Sequence, residues 1–141
     1  MDILVFIGRI LFAVLFLSSG VNHLTQTKAM AGYVSSRVPV AVPAAPTVLG
    51  SGILLLAGAL SILLGIWADL GALLVVVFLI PTALLMHPFW KEPEAETRQL
   101  EMIMFFKDIA LAGAALMLIA FFSYAGHELG LTITGPLFDI N

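Results

Sequence analysis

Residues Pro46–Trp90 read PTVLGSGILLLAGALSILLGIWADLGALLVVVFLIPTALLMHPFW, and a single charge, Asp69, interrupts them. The uncharged runs on either side, Val38–Ala68 and Leu70–Trp90, hold 31 and 21 residues. A helix crosses the hydrocarbon of a bilayer with about 20 apolar residues, so each run holds one span. Only a few residues around Asp69 join the two, which makes the helices antiparallel neighbours in a hairpin. Pro88 stops the second of them, and Trp90 falls where an interfacial aromatic belt would lie.

Two further uncharged runs flank the hairpin, Ile10–Thr27 with 18 residues and Ile109–His127 with 19. The expected fold is therefore all-α, a polytopic membrane protein built as a four-transmembrane-helix bundle, with spans at about 3–23, 47–67, 70–87 and 101–122. Four spans take up about 80 residues, so the 141-residue chain is expected to be one transmembrane domain over 1–141. Composition agrees: 61% of residues are hydrophobic and 11% charged, where soluble chains carry roughly a quarter charged. Mean hydropathy is +1.10. The first segment lacks a basic leader and a small-x-small cleavage pattern, so it is expected to stay in the protein as a helix.

A net charge of −3, with six scattered basic residues, excludes nucleic-acid binding, which needs clustered Lys and Arg. With no cysteine there is no disulfide, thiolate ligand or redox dithiol. Three histidines spread over both membrane sides do not make a zinc site, so no metal is expected. His23 and His87 fall at similar depth, yet they sit at helix ends rather than within the spans, which argues against haem. No covalent cofactor is expected.

Between the first two spans, Leu24–Pro46 carries Lys28, Arg37 and three prolines in Val38–Pro46 that forbid a regular helix before Thr47. Six charges crowd Lys91–Glu101. Small residues at Ala57, Ser61 and Gly65, and at Ala110 and Ala114, suggest close helix packing within the chain.

Depth sorts the polar residues. His23 follows Arg9 by 14 residues, roughly 21 Å along a helix axis, so the two sit near opposite boundaries. His87 and Trp90 end the third span on the side of His23, and Lys107 and Asp108 open the fourth there. Asn22, His23, His87, Trp90, Lys107 and Asp108 can share one interfacial layer as the wall of a pocket for a polar head group. Adjacent residues on a helix point about 100° apart, so Lys107 and Asp108 cannot both face the same surface. Arg9 belongs to the other layer, where Asp2 and Asp139 are candidate partners; an Arg9–Asp139 ion pair is expected, because a folded-back tail can choose its depth. Lys28, Arg37, Lys91 and Arg98 against Arg9 alone favour termini on the outer side.

The corner His87-Pro88-Phe89-Trp90, the charged loop after it and the run Met104-Phe105-Phe106-Lys107-Asp108-Ile109-Ala110-Leu111-Ala112-Gly113-Ala114-Ala115-Leu116 resemble the DoxX-like family of small four-helix membrane proteins. Arg9, Leu11-Phe12 and Ser19-Gly20 in the first helix are similar to it as well, as is the ending Gly135-Pro136-Leu137-Phe138-Asp139. The resemblance implies a bacterial cytoplasmic (inner) membrane location and a link to redox systems, since related subunits belong to thiosulfate:quinone oxidoreductase and other members accompany oxidative-stress enzymes. Two departures stand out. Relatives often carry Lys near the end of the first helix, where His23 stands, and an acidic residue in the second helix, where Gly50–Trp67 has none.

The expected function is an accessory membrane subunit of a redox or quinone-linked assembly, non-catalytic on its own, binding a quinone-like or lipid ligand or a partner through the His23 layer. It would work within a larger membrane complex or as a homo-oligomer. One alternative is a quinone-reducing oxidoreductase subunit, with Lys107 or His87 holding the quinone carbonyls and Asp108 or a histidine relaying protons. A small transporter or channel is a second alternative, weakened by Ser51, Ser61 and Thr82 being the only polar side chains inside the second and third spans.

Overall fold

The computed structural model describes residues 1–39 and 41–138. Five helices follow one another, α1 (Asp2–Thr25), α2 (Thr27–Arg37), α3 (Ala44–Leu64), α4 (Ala68–Met86) and α5 (Ala95–Ala125), with a single 3-10 turn at Phe89–Lys91 between α4 and α5. No strand occurs among the described residues. α1, α3, α4 and α5 are long and apolar enough to cross a membrane, and the protein is a multi-pass membrane protein. The outward faces agree, since Ile3, Leu11, Ile53, Leu84, Ile103 and Met117 are all exposed where only hydrocarbon suits them.

α1 packs on α3, α3 on α4, and α4 on α5. One core joins all four, with Ala13 and Phe16 from α1, Leu55, Ala59 and Ile62 from α3, Ala72, Val75 and Leu79 from α4, and Ala112 and Ala115 from α5. Alanine dominates because two backbones in close van der Waals contact leave no room for more. The backbones of α1 and α5 stay apart, leaving a groove of about 350 Å³ between Val5, Gly8 and Phe12 on one side and Ala114, Met117 and Leu118 on the other.

The expected small-residue stripe is displaced. Ala57 is exposed and the packed face of α3 runs Val48, Gly52, Leu55, Ala59, Ile62. Ser61 and Gly65 serve the turn instead. Gly65 takes φ +65°, ends α3 and lets Ile66 N donate to Ser61 O at 3.0 Å, a left-handed stop that glycine adopts without a Cβ penalty. Ser61 Oγ donates to Ile66 O and Trp67 O. The three-residue turn Gly65–Trp67 returns the chain antiparallel, as the hairpin requires.

Helix ends overrun the apolar spans. α3 starts at Ala44, three residues before the expected Thr47, because Pro46 fits a first turn whose N–H groups lack partners in any case. α5 starts at Ala95, where Glu94 caps it by accepting from Thr97 N at 3.1 Å and Thr97 Oγ1 at 2.6 Å. Its 31 residues extend about 46 Å, well beyond a hydrocarbon layer of about 30 Å.

The sequence reading of Leu24–Pro46 is corrected by α2, a helix of 11 residues. Ala29, Met30, Tyr33, Val34 and Arg37 recur at helical spacing on one of its faces, and the prolines lie beyond its end. α2 is too short and polar to cross the membrane. It lies against α3 at the end of the bundle where α1 finishes and α5 begins.

Candidate functional site

Beneath α2 the four long helices border a partly open cavity of about 790 Å³. Its walls are chiefly apolar, from Met30 and Val34 of α2, Val48 and Leu54 of α3, and Phe78 and Leu85 of α4. Polar groups gather on the same lining: His23 and Ser51 on one side, His87, Lys107 and Asp108 on the other.

His23 is set by a close approach. A Cβ on Gly52 would stand 2.7 Å from His23 Cβ, so only glycine at that position lets the imidazole lie along α3. There His23 Nδ1 meets Ser51 Oγ at 2.8 Å and Val48 O at 3.3 Å, and its ring lies edge-on to Phe78 at 5.7 Å. On the opposite wall His87, the first residue after α4, places Nδ1 2.7 Å from Glu101 Oε2 and Nε2 3.7 Å from Asp108 Oδ2. Lys107 Nζ stands 3.3 Å from Asp108 Oδ1. Asp108 is buried while Lys107 is half-exposed, the division expected of neighbours 100° apart on a helix.

A second set of charges fastens α2 over this cavity. Arg37, its last residue, donates from Nη1 to Glu92 and from Nη2 to Glu101 at 2.9 Å. Tyr33 Oη lies 3.3 Å from Glu101 Oε1 and 3.4 Å from Met86 O. Burial and the negative charge of Glu101 raise the Tyr33 phenol above its ordinary value. Burial opposes the charge on Arg37, but the bond to Glu92 and the fields of Tyr33, Glu101 and Glu92 outweigh it and raise the guanidinium.

Of the six residues expected in one layer, His23, His87, Lys107 and Asp108 line the cavity. Asn22 and Trp90 do not. Asn22 projects from the exposed side of α1, one position round the helix from His23. Trp90 is exposed and packs edge-on with Phe89 and Phe105 at 5.2 and 5.7 Å, as a residue of an interfacial belt does. Tyr33, Arg37, Ser51, Glu92 and Glu101 were not expected at the site from the sequence. Glu101 had a signal: it precedes Asp108 by seven residues, two helical turns, which puts both carboxylates on one face of α5. Among the described residues no cluster of three His, Cys, Asp or Glu groups forms a metal site.

At the far end of the bundle Arg9 is 2% exposed. It donates to three carbonyls, Ile62 O and Leu131 O at 2.8 Å each, and Leu63 O, placing a cation on the C-terminal carbonyls of α3, where the helix dipole favours it. No ion pair joins Arg9 to Asp2 among the described residues, and Asp139, its other expected partner, lies outside them. The unforeseen residue here is Asp69, fully buried in the first turn of α4. Its Oδ1 accepts from Leu70 N at 2.9 Å and Leu137 N at 3.0 Å, and its Oδ2 from Phe138 N at 2.6 Å. The segment after α5 is thereby drawn across the α3–α4 turn, where Ile133 N and Thr134 N also donate to Gly65 O at 3.1 and 2.9 Å.

No curated protein sequence and no solved structure matches this chain. The sequence model of the DoxX family matches residues 4–88, from the first turn of α1 through the His87-Pro88 corner. The stretch from Phe89 to Leu116, which carried most of the resemblance, lies beyond the matched residues. With more than half of its length matched, and with four apolar helices folded as a bundle, the chain belongs to the DoxX family.

Proposed function

We propose that this protein is an accessory membrane subunit of a redox or quinone-linked assembly in the bacterial cytoplasmic membrane, holding a quinone-like or lipid amphiphile in the cavity beneath α2. One observation carries the reading: an apolar chamber of about 790 Å³ has His23 on one wall and His87, Lys107 and Asp108 on the other. A chamber of that size and lining suits a small apolar body anchored by a few polar groups. Basic residues support an orientation with α2 on the cytoplasmic side, because Lys28, Arg37, Lys91 and Arg98 all flank that end.

The test is to purify the protein in mild detergent and identify bound small molecules and co-purifying proteins by mass spectrometry. The reading expects a stoichiometric quinone or lipid that His23→Ala and His87→Ala both release. A protein free of ligand, or one whose ligand stays bound in both variants, sinks it.

The placement of His87 between Glu101 and Asp108 favours one second reading, a quinone-reducing subunit in which these groups exchange protons with the ligand. Reduction of a quinone analogue by a sulfur donor, lost in Lys107→Ala and His87→Ala, would favour the enzyme over the accessory role.

A further inference from the structure

We infer that the cavity selects an amphiphile whose head donates hydrogen bonds, a hydroquinone or similar phenolic hydroxyl, over the oxidised form that offers only carbonyl acceptors. The inference rests on the reading of the cavity as an amphiphile site and adds the chemistry of the head. It follows from how the lining has used its protons.

Consider first the hydroxyls. Thr47 Oγ1 donates to Pro43 O at 2.8 Å, Ser51 Oγ to Val48 O at 2.9 Å and Thr82 Oγ1 to Phe78 O at 2.7 Å. Tyr33 Oη faces Met86 O and a Glu101 oxygen, both acceptors. Each hydroxyl has one proton, so these four have spent theirs inside the protein and offer a ligand only lone pairs.

The imidazole of His23 is in the same condition. Val48 O can only accept, so its 3.3 Å contact with His23 Nδ1 is a hydrogen bond only when the ring proton sits on Nδ1, and that tautomer is the one assigned to the ring, with Ser51 Oγ donating to Val48 O. In the neutral imidazole Nε2 is then an acceptor. Nε2 has no partner among the described residues, and no buried side-chain nitrogen or oxygen there lacks one. Nε2 is therefore reachable, and the space His23 borders is the cavity.

Two more acceptors complete the wall. Asp108 lines the cavity as a carboxylate beside Lys107. Pro81 sits inside α4 with no N–H to return to the carbonyl of Val77, and both residues are on the lining. Against these stand three lining side chains able to donate: Lys107, half-exposed and drawn to Asp108, His87, whose two nitrogens already face Glu101 and Asp108, and Ser19, whose hydroxyl serves either way. A head group with hydroxyls satisfies His23 and Asp108, whereas a bare carbonyl sets lone pairs against lone pairs, leaving acceptors unsatisfied.

The experiment uses the full chain in mild detergent under anaerobic conditions, titrated calorimetrically with three probes that share a decyl chain: a hydroquinone, the matching quinone and the hydroquinone dimethyl ether. The hydroquinone should bind about tenfold tighter than either of the others. His23→Phe and Asp108→Asn should each narrow that gap to about threefold or less. Quinone binding as tight as hydroquinone binding in the wild-type protein overturns the inference and leaves the amphiphile site standing. Saturable binding by none of the three overturns both. A preference that survives in both variants overturns the assignment to His23 and Asp108. The wild-type comparison needs no variant, so a substitution that fails to fold does not remove the test.

Discussion

His87 Nδ1 lies 2.7 Å from Glu101 Oε2 while the other nitrogen of the same ring faces Asp108 at 3.7 Å. A single imidazole at the end of α4 thus joins the carboxylates of two residues whose backbone positions are about 10 Å apart along the axis of α5. Glu101 also receives Arg37, so it links the wall of the cavity to the helix above it.

Replacing Glu101 by Gln removes the charged acceptor shared by Arg37, His87 and Tyr33. Because its side chain is only 13% exposed, solvent does not take over fully. The expected loss is about 1–3 kcal/mol, read as a lowered midpoint of thermal unfolding in detergent. An unchanged midpoint would show that Glu101 fastens nothing.

The phenol of Tyr33 should ionise above the ordinary tyrosine value of about 10, since burial and Glu101 both resist its negative charge. The folded protein holds this proton longer than the unfolded chain does. The resulting stability is complete below the unfolded pKa and is lost as pH rises through the raised one. The 295 nm absorbance difference between wild type and Tyr33→Phe isolates the transition, and Glu101→Gln should move it downward. A Tyr33 transition at or below the ordinary value contradicts the geometry.

Arg9→Met keeps an unbranched apolar stem and removes every donor to Ile62, Leu63 and Leu131. Three carbonyls lose their partner in a site 2% exposed, at an expected cost of about 2–4 kcal/mol. Arg9→Lys should recover only part of this, because an ammonium lacks the planar fork that reaches several carbonyls at once. Urea unfolding in detergent ranks the three proteins, and equal stability of Lys and Arg would refute the forked role.

Asp69→Asn replaces two acceptor oxygens by one and turns an N–H₂ toward the amides of Leu137 and Phe138. Hydrogen exchange at those two amides should accelerate at least tenfold, which corresponds to about 1.4 kcal/mol of local opening. Gly65→Ala should act on the same segment, since a side chain there meets Thr132 within 2.7 Å in a left-handed backbone. Exchange at wild-type rates in both variants would mean the segment is held by something else.

A reporter fused after Asn141 tests the charge count. The excess of Lys and Arg around α2 predicts that a reporter active only outside the cytoplasm works there and its cytoplasmic counterpart does not. The reverse pattern inverts the orientation.

The hairpin around Asp69 was legible because two long uncharged runs flank one charge, and bilayer thickness turns such a pattern into antiparallel helices with little freedom. Four of the six layer residues could be placed by counting axial rise. Counting rise does not give azimuth, so Asn22 and Trp90 were grouped with residues at their depth although they face other directions. α2 went unread for a different reason: a helix of 11 residues that lies on a surface has no uncharged run, only the spacing of Ala29, Met30, Tyr33 and Val34. Asp69 itself was taken as a turn marker. Its partners are backbone N–H groups of residues 137 and 138, and no side-chain pattern advertises a carboxylate that serves amides 68 residues away.

The bundle is closed by unlike means at its two ends. Around α2 the fastening is ionic, Arg37 and His87 on Glu92 and Glu101, partly within reach of water; at the other end it is neutral main chain held on a sealed carboxylate and a sealed guanidinium. Dissolved salt weakens the first kind and hardly touches the second. Raised ionic strength is therefore expected to act on one end of this molecule only, slackening the ties of α2 above the chamber while the far end of the bundle holds.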